Sequence, residues 1–528
     1  MPFTLLQVGN QLKSINPFGG LSAALDLPSG ITLATNVTPR FAQFKGNVIV
    51  VNTPSRPLQV DEDGIVYPLT LIAPTAAVAL TGPNAGTLTG TYLSKQTYIL
   101  KDILGNIISE SDYGPTMTTA VTIATKKLLA TFAVSLDDAV GIETRLYRTA
   151  TLGSTYFFWK DSGDNTTLTI ENDLADASLG VAEGPSRGAA PDLTLIAEWA
   201  GRLWGVDRTD VDDLRYTEAG TAYGWSALNT LPIPHVGSDA AGVTALIPRR
   251  DALGVARKDT FVQVTGSLRT NFAPRTVNGG EKMGCVSQES VVTFNDVAYF
   301  LWRDGVYRWD SNGITSVSND KVRTWFTSDL YFNRAMFWRS FAQLDPTGLK
   351  YRLFLASVGS AVIDRWVEYD ILNQTWWGPH QTDAFSPSSA VLVAGSNQQP
   401  YFMIGSREGY LSQDQDDKND WGVSPIALSV ETANQDMKEP DYEKYFGELS
   451  IHGKDQPAGT ITITPKVGEL DTLIADTPFS YDMTQGRQRL GRVGHGKQAS
   501  LLIEHDTINQ DVELYGYEIN PVNVTGRR

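Results

Sequence analysis

The side chains best suited to chemistry in this 528-residue sequence are few and scattered. Five histidines, His235, His380, His452, His495 and His505, never fall at the i, i+4 spacing of a helical zinc pair. The single cysteine, Cys285, can build neither a thiolate site nor an internal disulfide. It is expected as a buried, inert thiol in a chain that folds in a reducing compartment. The sequence has no GxSxG elbow and no GxxxxGK[ST] phosphate loop. The nearest approach, "GRVGHGKQ" (491–498), lacks both the spacing and the helix that must follow. The densest acidic loop, "SQDQDDKND" (412–420), offers Asp414, Asp416, Asp417 and Asp420 as oxygen ligands for calcium. Lys418 stands where a third ligand should be and the central glycine is missing, so a solvated turn is the expectation and metal the weak alternative. "DRTDVDD" (207–213) is weaker still. A glycosidase would need two carboxylates about 5–9 Å apart. Nothing singles out such a pair among the 59 acidic residues. The expectation is a non-enzyme without a cofactor.

The elements that would have to position any site are strands. Period-two alternation and β-branched or aromatic runs recur throughout, as in "FKGNVIVVN" (44–52), "VVTFNDVAYFLWRDGVYRWD" (291–310), "YRLFLAS" (351–357) and "QPYFMIGS" (399–406). The most convincing helix is "NDKVRTWF" (319–326), with Asn319 as its cap and Val322, Trp325 and Phe326 on one face. The expected fold is all-β.

A loose repeat organises these strands: a strand, a turn with Gly or Asp, an aromatic-rich strand and a closing Trp or Phe. Six units fit, at 39–64, 193–225, 242–267, 290–318, 340–377 and 389–417. A spacing of about 40 to 50 residues suits four-stranded β-propeller blades, whose radial stacking covers both faces of each sheet. Trp204, Trp225, Trp302, Trp309, Trp376 and Trp377 would fill the wedges between blades. Five or seven blades fit the same repeat. The expected organisation is residues 1–70 as the first part of a propeller, 71–180 as an inserted β-sandwich, 181–439 as the remaining blades and 440–528 as a C-terminal β-sandwich region. "TYLSKQTYIL" and "TRLYRTA" in the insertion resemble strands of fibronectin type III modules.

Forty-three basic against 59 acidic residues give a formal net charge of -16, which works against gripping nucleic acid through its phosphates. No apolar run approaches the roughly 18 residues of a membrane helix, and the first 20 residues carry no secretory-signal pattern. No membrane insertion is expected.

The stretch "GCVSQESVVTFNDVAYFLWRDGVYRWDSNGITSVSNDKVRTWF" (284–326) resembles a segment of tail proteins of short-tailed bacteriophages. There a Ser-containing strand leads to v-Y-F-L-x-x-D-G-V-Y and G-x-x-x-x-S-D-x-V. "EWAGRLWGVDRTDVDDLRYTEAGTAYGW" and "PRFAQFKGNVIVVN" are similar to two further blades of that family, the tail nozzle or packaged-DNA stabilisation proteins. Asn319 stands where the family commonly has Asp. The order of propeller start, insertion, resumed propeller and C-terminal β region is also similar, so the resemblance covers nearly the whole chain. It implies a virion protein, made in the host cytoplasm, that assembles as a hexameric ring. The ring would sit below portal and adaptor proteins, contact tail fibre, spike or needle proteins, and touch genomic DNA transiently as it passes. It would retain the genome by closing the channel and release it on ejection. The alternative is a receptor-binding or glycan-recognising propeller of a phage tail.

Overall fold

The computed structural model describes the chain apart from residues 1–3, 17–19, 53–55, 138, 185–186, 235–241, 319–321, 347, 382–384, 395–399, 415–418, 421–423, 426, 470–471, 508–511 and 528. Among the described residues the protein is all-β, built of many small antiparallel sheets, with one five-residue α-helix, Arg323–Thr327, and three 3-10 turns. Two compact units follow one another, Met1–Asp414 and Gln415–Arg528.

Five four-stranded meanders form most of the first unit. They start with the strands Arg40–Phe44, Leu193–Trp199, Ala245–Pro248, Val292–Phe294 and Phe341–Asp345. A sixth sheet has three strands, Pro387–Ala394, Pro400–Ser406 and Leu411–Asp414. Each meander follows from short alternating runs joined by tight turns. Lys45-Gly46, Ala200-Gly201 and Asn295-Asp296 all take positive φ at the first hairpin, the twist-matched geometry that a two-residue loop requires.

Sheets of this kind are apolar on both faces, so each buries itself against the next. Phe44, Ile49 and Val51 of the first pack with Ile196 and Leu203 of the second. Trp204 and Leu214 of the second pack with Leu246 and Val255 of the third. Phe261 of the third meets Phe300 and Trp309 of the fourth, Tyr299 of the fourth meets Tyr351 and Tyr369 of the fifth, and Phe341 and Phe354 of the fifth meet Phe402 of the sixth. The N-terminal hairpin, Thr4–Val8 with Gln11–Ile15, links the ends of this series. Ile15 is buried with Val393 and Met403 of the sixth sheet, while Leu12 is buried with Val50, Leu58 and Val60 of the first.

Five of the six tryptophans expected between sheets are there. Trp204, Trp225, Trp302 and Trp309 are buried and Trp376 is partly buried. Trp377 is 56% exposed. It lies on the outermost strand of its sheet, Thr375–Gln381, where alternation turns Trp376 inward and its neighbour to the open face. The helix also differs from expectation. It begins at Arg323 with Val322 as its N-terminal flanking residue, not at the Asn319 cap, which falls outside the described residues. Val322 and Phe326 are buried together all the same.

Between the first and second sheets, strands from Ala79 to Asn172 form sheets of four, three and two strands around Leu80, Tyr92, Leu128, Leu146 and Trp159. The stretch "TYLSKQTYIL" spans two strands. Ala85–Tyr92 pairs with Val121–Lys126, and after Leu93 the chain changes sheet, so that Ser94–Lys101 pairs with Ile107–Glu110 and Ile142–Thr149. This region is tied to its flanks by charge. Arg56 binds Asp137 at 2.6 Å, buried Glu110 pairs with Arg187, and Lys95 pairs with Glu183 while lying over the Tyr113 ring. Burial pushes the Lys95 amine down to about 8.

In the second unit Leu428–Glu431, Gln498–His505, Thr460–Glu469 and Thr472–Ala475 form one sheet, with Phe479–Asp482 also paired to Thr460–Glu469. Arg487–Gly496, Tyr442–Gly453 and Leu514–Arg527 form another, and Phe446, Leu449, Ile463, Tyr481 and Leu501 fill the space between. The sandwich begins upstream of the expected residue 440, because Leu428–Glu431 pairs with Gln498–His505.

Candidate functional site

Residues of several sheets meet at the segment 284–291. In place of a serine-containing strand, Gln288–Ser290 is a 3-10 turn leading into the fourth sheet. Its side chains bond to the first strands of other sheets. The Gln288 amide accepts from Leu246 N at 2.7 Å and donates to Leu246 O at 3.1 Å in the third sheet. Ser287 Oγ donates to Ser340 O at 2.7 Å, next to the start of the fifth. Glu289 forms an ion pair with Arg40, the first residue of the first sheet. Burial lowers the Arg40 guanidinium to about 10, still charged at neutral pH.

The turn is held from behind as well. Ser290 Oγ donates to Ser287 O and accepts from Leu301 N, and the buried Tyr351 hydroxyl donates to Ser290 O at 2.8 Å. Cys285 sits beneath it, fully buried, donating to Ser287 O at 3.1 Å. Burial pushes its thiol up to about 11, so the nucleophilic thiolate is suppressed. One short segment thus joins the third, fourth and fifth sheets through hydrogen bonds and the first through an ion pair. Its carboxylate and its thiol are engaged in holding structure.

Two further clusters are built the same way. At the first-hairpin tips of the first and second sheets, a shallow cleft of about 530 Å³ is lined by Gln43, Lys45, Glu198, Ala200 and Gly220. Lys45 Nζ donates to Gly220 O at 2.6 Å and Glu198 accepts from Gly201 N at 3.0 Å, so both charges close the tips. On the fifth sheet, Glu368 accepts from Lys350 Nζ at 3.0 Å and meets Arg352 Nε at 2.8 Å, and Asp345 also meets Arg352 at 3.0 Å. Burial opposes the Glu368 charge, yet Arg352 and Lys350 hold its carboxyl below the usual range. His380 stacks on Trp366, with ring centroids 5.3 Å apart, and burial lowers it below its ordinary value against the pull of Glu368.

Of the four aspartates offered to calcium, Asp414 ends the strand Leu411–Asp414 and Asp420 lies in Asn419–Asp420, while Asp416 and Asp417 fall outside the described residues. Among the described residues no three His, Cys, Asp or Glu side chains gather as a metal site would require. The histidines are dispersed: His452 is 4.0 Å from Glu518, His495 is 2.8 Å from Thr525 Oγ1, His505 is buried, and His235 falls outside the described residues. "GRVGHGKQ" ends the strand Arg487–Gly496 and passes into Gln498–His505 of the other sheet, a crossover between sheets and not the entry to a helix. In the aspartate run 207–213, Asp212 pairs with buried Arg257 at 2.6 Å. The 287–291 turn escaped sequence reasoning because its partners lie 40 to 250 positions away; "GCVSQES" carried only a family likeness. Among the described residues no helix is long and apolar enough to cross a membrane.

The arrangement defines an all-β protein of serially packed sheets whose polar clusters brace the fold. No family model and no curated protein matches the chain. Among solved structures it is similar to PorZ, a bacterial surface component of the type-IX secretion system of Porphyromonas gingivalis, with 11% identity and a TM-score of 0.28. That match covers 78% of this chain and 59% of PorZ, so the chain spans less than two thirds of that protein. It is also similar to an exo-β-1,3-galactanase of Phanerochaete chrysosporium, with 7% identity, a TM-score of 0.17 and coverage of 92% and 96%. A third is a glycoside hydrolase family 43 arabinoxylan arabinofuranohydrolase of Bacillus subtilis, with 9% identity, a TM-score of 0.18 and coverage of 93% and 96%.

Proposed function

We propose that the six sheets of the first unit are blades of a β-propeller, and that the chain is a structural subunit of a short-tailed phage tail, the nozzle. The observation that carries the propeller is the unbroken series of sheet contacts, with the N-terminal hairpin packed on both the sixth sheet and the first. A hairpin that buries Leu12 against one and Ile15 against the other supplies the closure that a radial array needs. The nozzle reading adds the likeness of 284–326 to the tail family. That stretch forms the 3-10 turn, the fourth sheet and most of the helix.

In this reading copies of the chain form a ring of six under the portal and adaptor, contact fibre, spike or needle proteins, and surround the passing genome. Its role is positional: it closes the channel before ejection and lets DNA slide during it. The chain performs no catalysis in this role, and its braced carboxylates suit that part. The test is a particle-level density map of the phage that encodes the chain. A sixfold ring of this chain at the distal end of the DNA channel is the expected result. Location on a peripheral fibre, with binding to a cell-surface glycan, would replace the nozzle with a receptor-binding propeller.

A further inference from the structure

The sheets of the first unit touch through their first strands. Leu193–Trp199 lies beside Arg40–Phe44 and Ala245–Pro248, and Phe341–Asp345 lies beside Val292–Phe294 and Pro387–Ala394. The fourth strands of the second, third and fifth sheets, Thr230–Pro232, Ala273–Thr276 and Thr375–Gln381, hold no buried residue. On the first strand of the third sheet, by contrast, Ala245, Leu246 and Ile247 are all buried. In the radial array of the propeller reading the first strands are therefore the inner ones, and they surround the central channel that blades leave between them.

The bonds of Ser287, Gln288 and Glu289 all reach the beginning of such an inner strand. Leu246 is the second residue of its strand, Ser340 directly precedes Phe341, and Arg40 is the first residue of its strand. Repeated blades run their first strands in the same direction, so these partners mark one end of the channel. The ion pair places the segment over that end. Sheets three places apart in a ring of six stand opposite each other, and Glu289 comes from the turn before the fourth sheet while Arg40 opens the first. A contact between opposite sheets has to cross the axis. Leu246 and Ser340 belong to the sheets on either side of the fourth, so the same segment also spans the gaps beside it.

We propose that the segment 287–290 plugs the channel of the propeller at the end where the first strands begin, with Glu289 reaching over the axis to Arg40. The channel of each molecule is closed to anything that would thread it, and what an assembled ring conducts passes between copies. The inference rests on the propeller reading and is independent of the tail assignment.

A side-chain-resolved density map of the full chain, free or in the particle, tests it. Continuous density from the segment to Arg40, across the axis of a closed ring of sheets, is the expected result. A closed ring with an open axis overturns the plug and leaves the propeller, whereas sheets in an open row overturn both. A chain on a peripheral fibre with its axis bridged removes the nozzle and supports the plug. Hydrogen exchange read by mass spectrometry gives a second measurement in solution. Glu289→Ala in the full chain should speed exchange about tenfold in Arg40–Phe44, 249 positions away, because that strand loses its tie across the axis. Faster exchange confined to 284–294, with Arg40–Phe44 at its native rate, would overturn the plug.

Discussion

Glu289, on the turn before the fourth sheet, forms an ion pair with Arg40, which opens the first sheet 249 positions earlier in the chain. The pair therefore fastens together parts of the first unit that the chain connects only through two intervening sheets and the whole insertion. Its side chains keep 21% and 25% exposure, so water screens the contact only in part.

Removing one partner leaves the other charge half-buried without its counter-ion. Arg40→Ala or Glu289→Gln should destabilise the first unit by less than the about 3–5 kcal/mol that breaking a fully buried pair costs. The charge-swapped double variant, R40E with E289R, should recover part of the loss. Urea denaturation of the single and double variants measures the coupling, and strictly additive losses would show that the two side chains do not act as a pair.

Aromatic packing separates residues that the sequence makes look alike. Trp309 is 1% exposed between the third and fourth sheets and Trp377 is 56% exposed. Trp309→Ala should cost about 3–5 kcal/mol, whereas Trp377→Ala should fall within about 0.5 kcal/mol. Thermal melts of the two variants side by side decide it.

That contrast marks how far the sequence was legible. Alternation and turn residues announced strands, and the six sheets fall where the repeat units were read, because a period of two and a Gly or Asp turn are local properties. Which tryptophan faces a neighbouring sheet is not local. Trp376 and Trp377 differ by one position on an outermost strand, and only the partner across the sheet decides which is covered. The sheet change at Leu93 was hidden for the same reason, since nothing in "TYLSKQTYIL" says that the strand partner changes. The 287–291 turn needed Leu246, Ser340 and Arg40 to acquire meaning.

Acid should loosen the fifth sheet first. Burial lowers His380 below its ordinary value, so the unfolded chain takes up a proton near pH 6.5 before the folded one does. Stability contributed by the neutral imidazole is present above that pH and lost as pH falls below it. Glu368, held down by Arg352 and Lys350, adds a second loss of the same sign at lower pH, beginning below the ordinary glutamate value and continuing through its lowered one. Denaturation midpoints should therefore drop between pH 7 and pH 5, and His380→Gln should flatten that part of the profile. An unchanged slope in the variant would assign the acid sensitivity elsewhere.

Cys285 is fully buried and its thiol is raised to about 11. The native protein should resist a thiol-reactive disulfide reagent at pH 8 for as long as it stays folded, and react with one equivalent on denaturation. Prompt reaction of the native chain would mean that the segment 284–291 opens readily, against the bonds that tie it to four sheets.

The last prediction sets the charge against the proposed role. A protein that retains a packaged genome could grip DNA, and each grip on a phosphate would need Lys or Arg. This chain has 43 of them against 59 acids. Many of the cations are already committed: Arg40 to Glu289, Arg187 to Glu110, Arg257 to Asp212, Arg352 to Asp345 and Glu368. Tight binding would also stall ejection, because every contact must break as each new length of DNA passes. The isolated chain should therefore bind duplex DNA no better than the roughly 10⁻⁴ to 10⁻⁶ M of non-specific association at physiological salt. Particles lacking it should still lose their genome or fail to infect, since retention would come from closing the channel. Submicromolar affinity with a steep salt dependence would overturn the sliding channel, and full infectivity without the chain would overturn the nozzle.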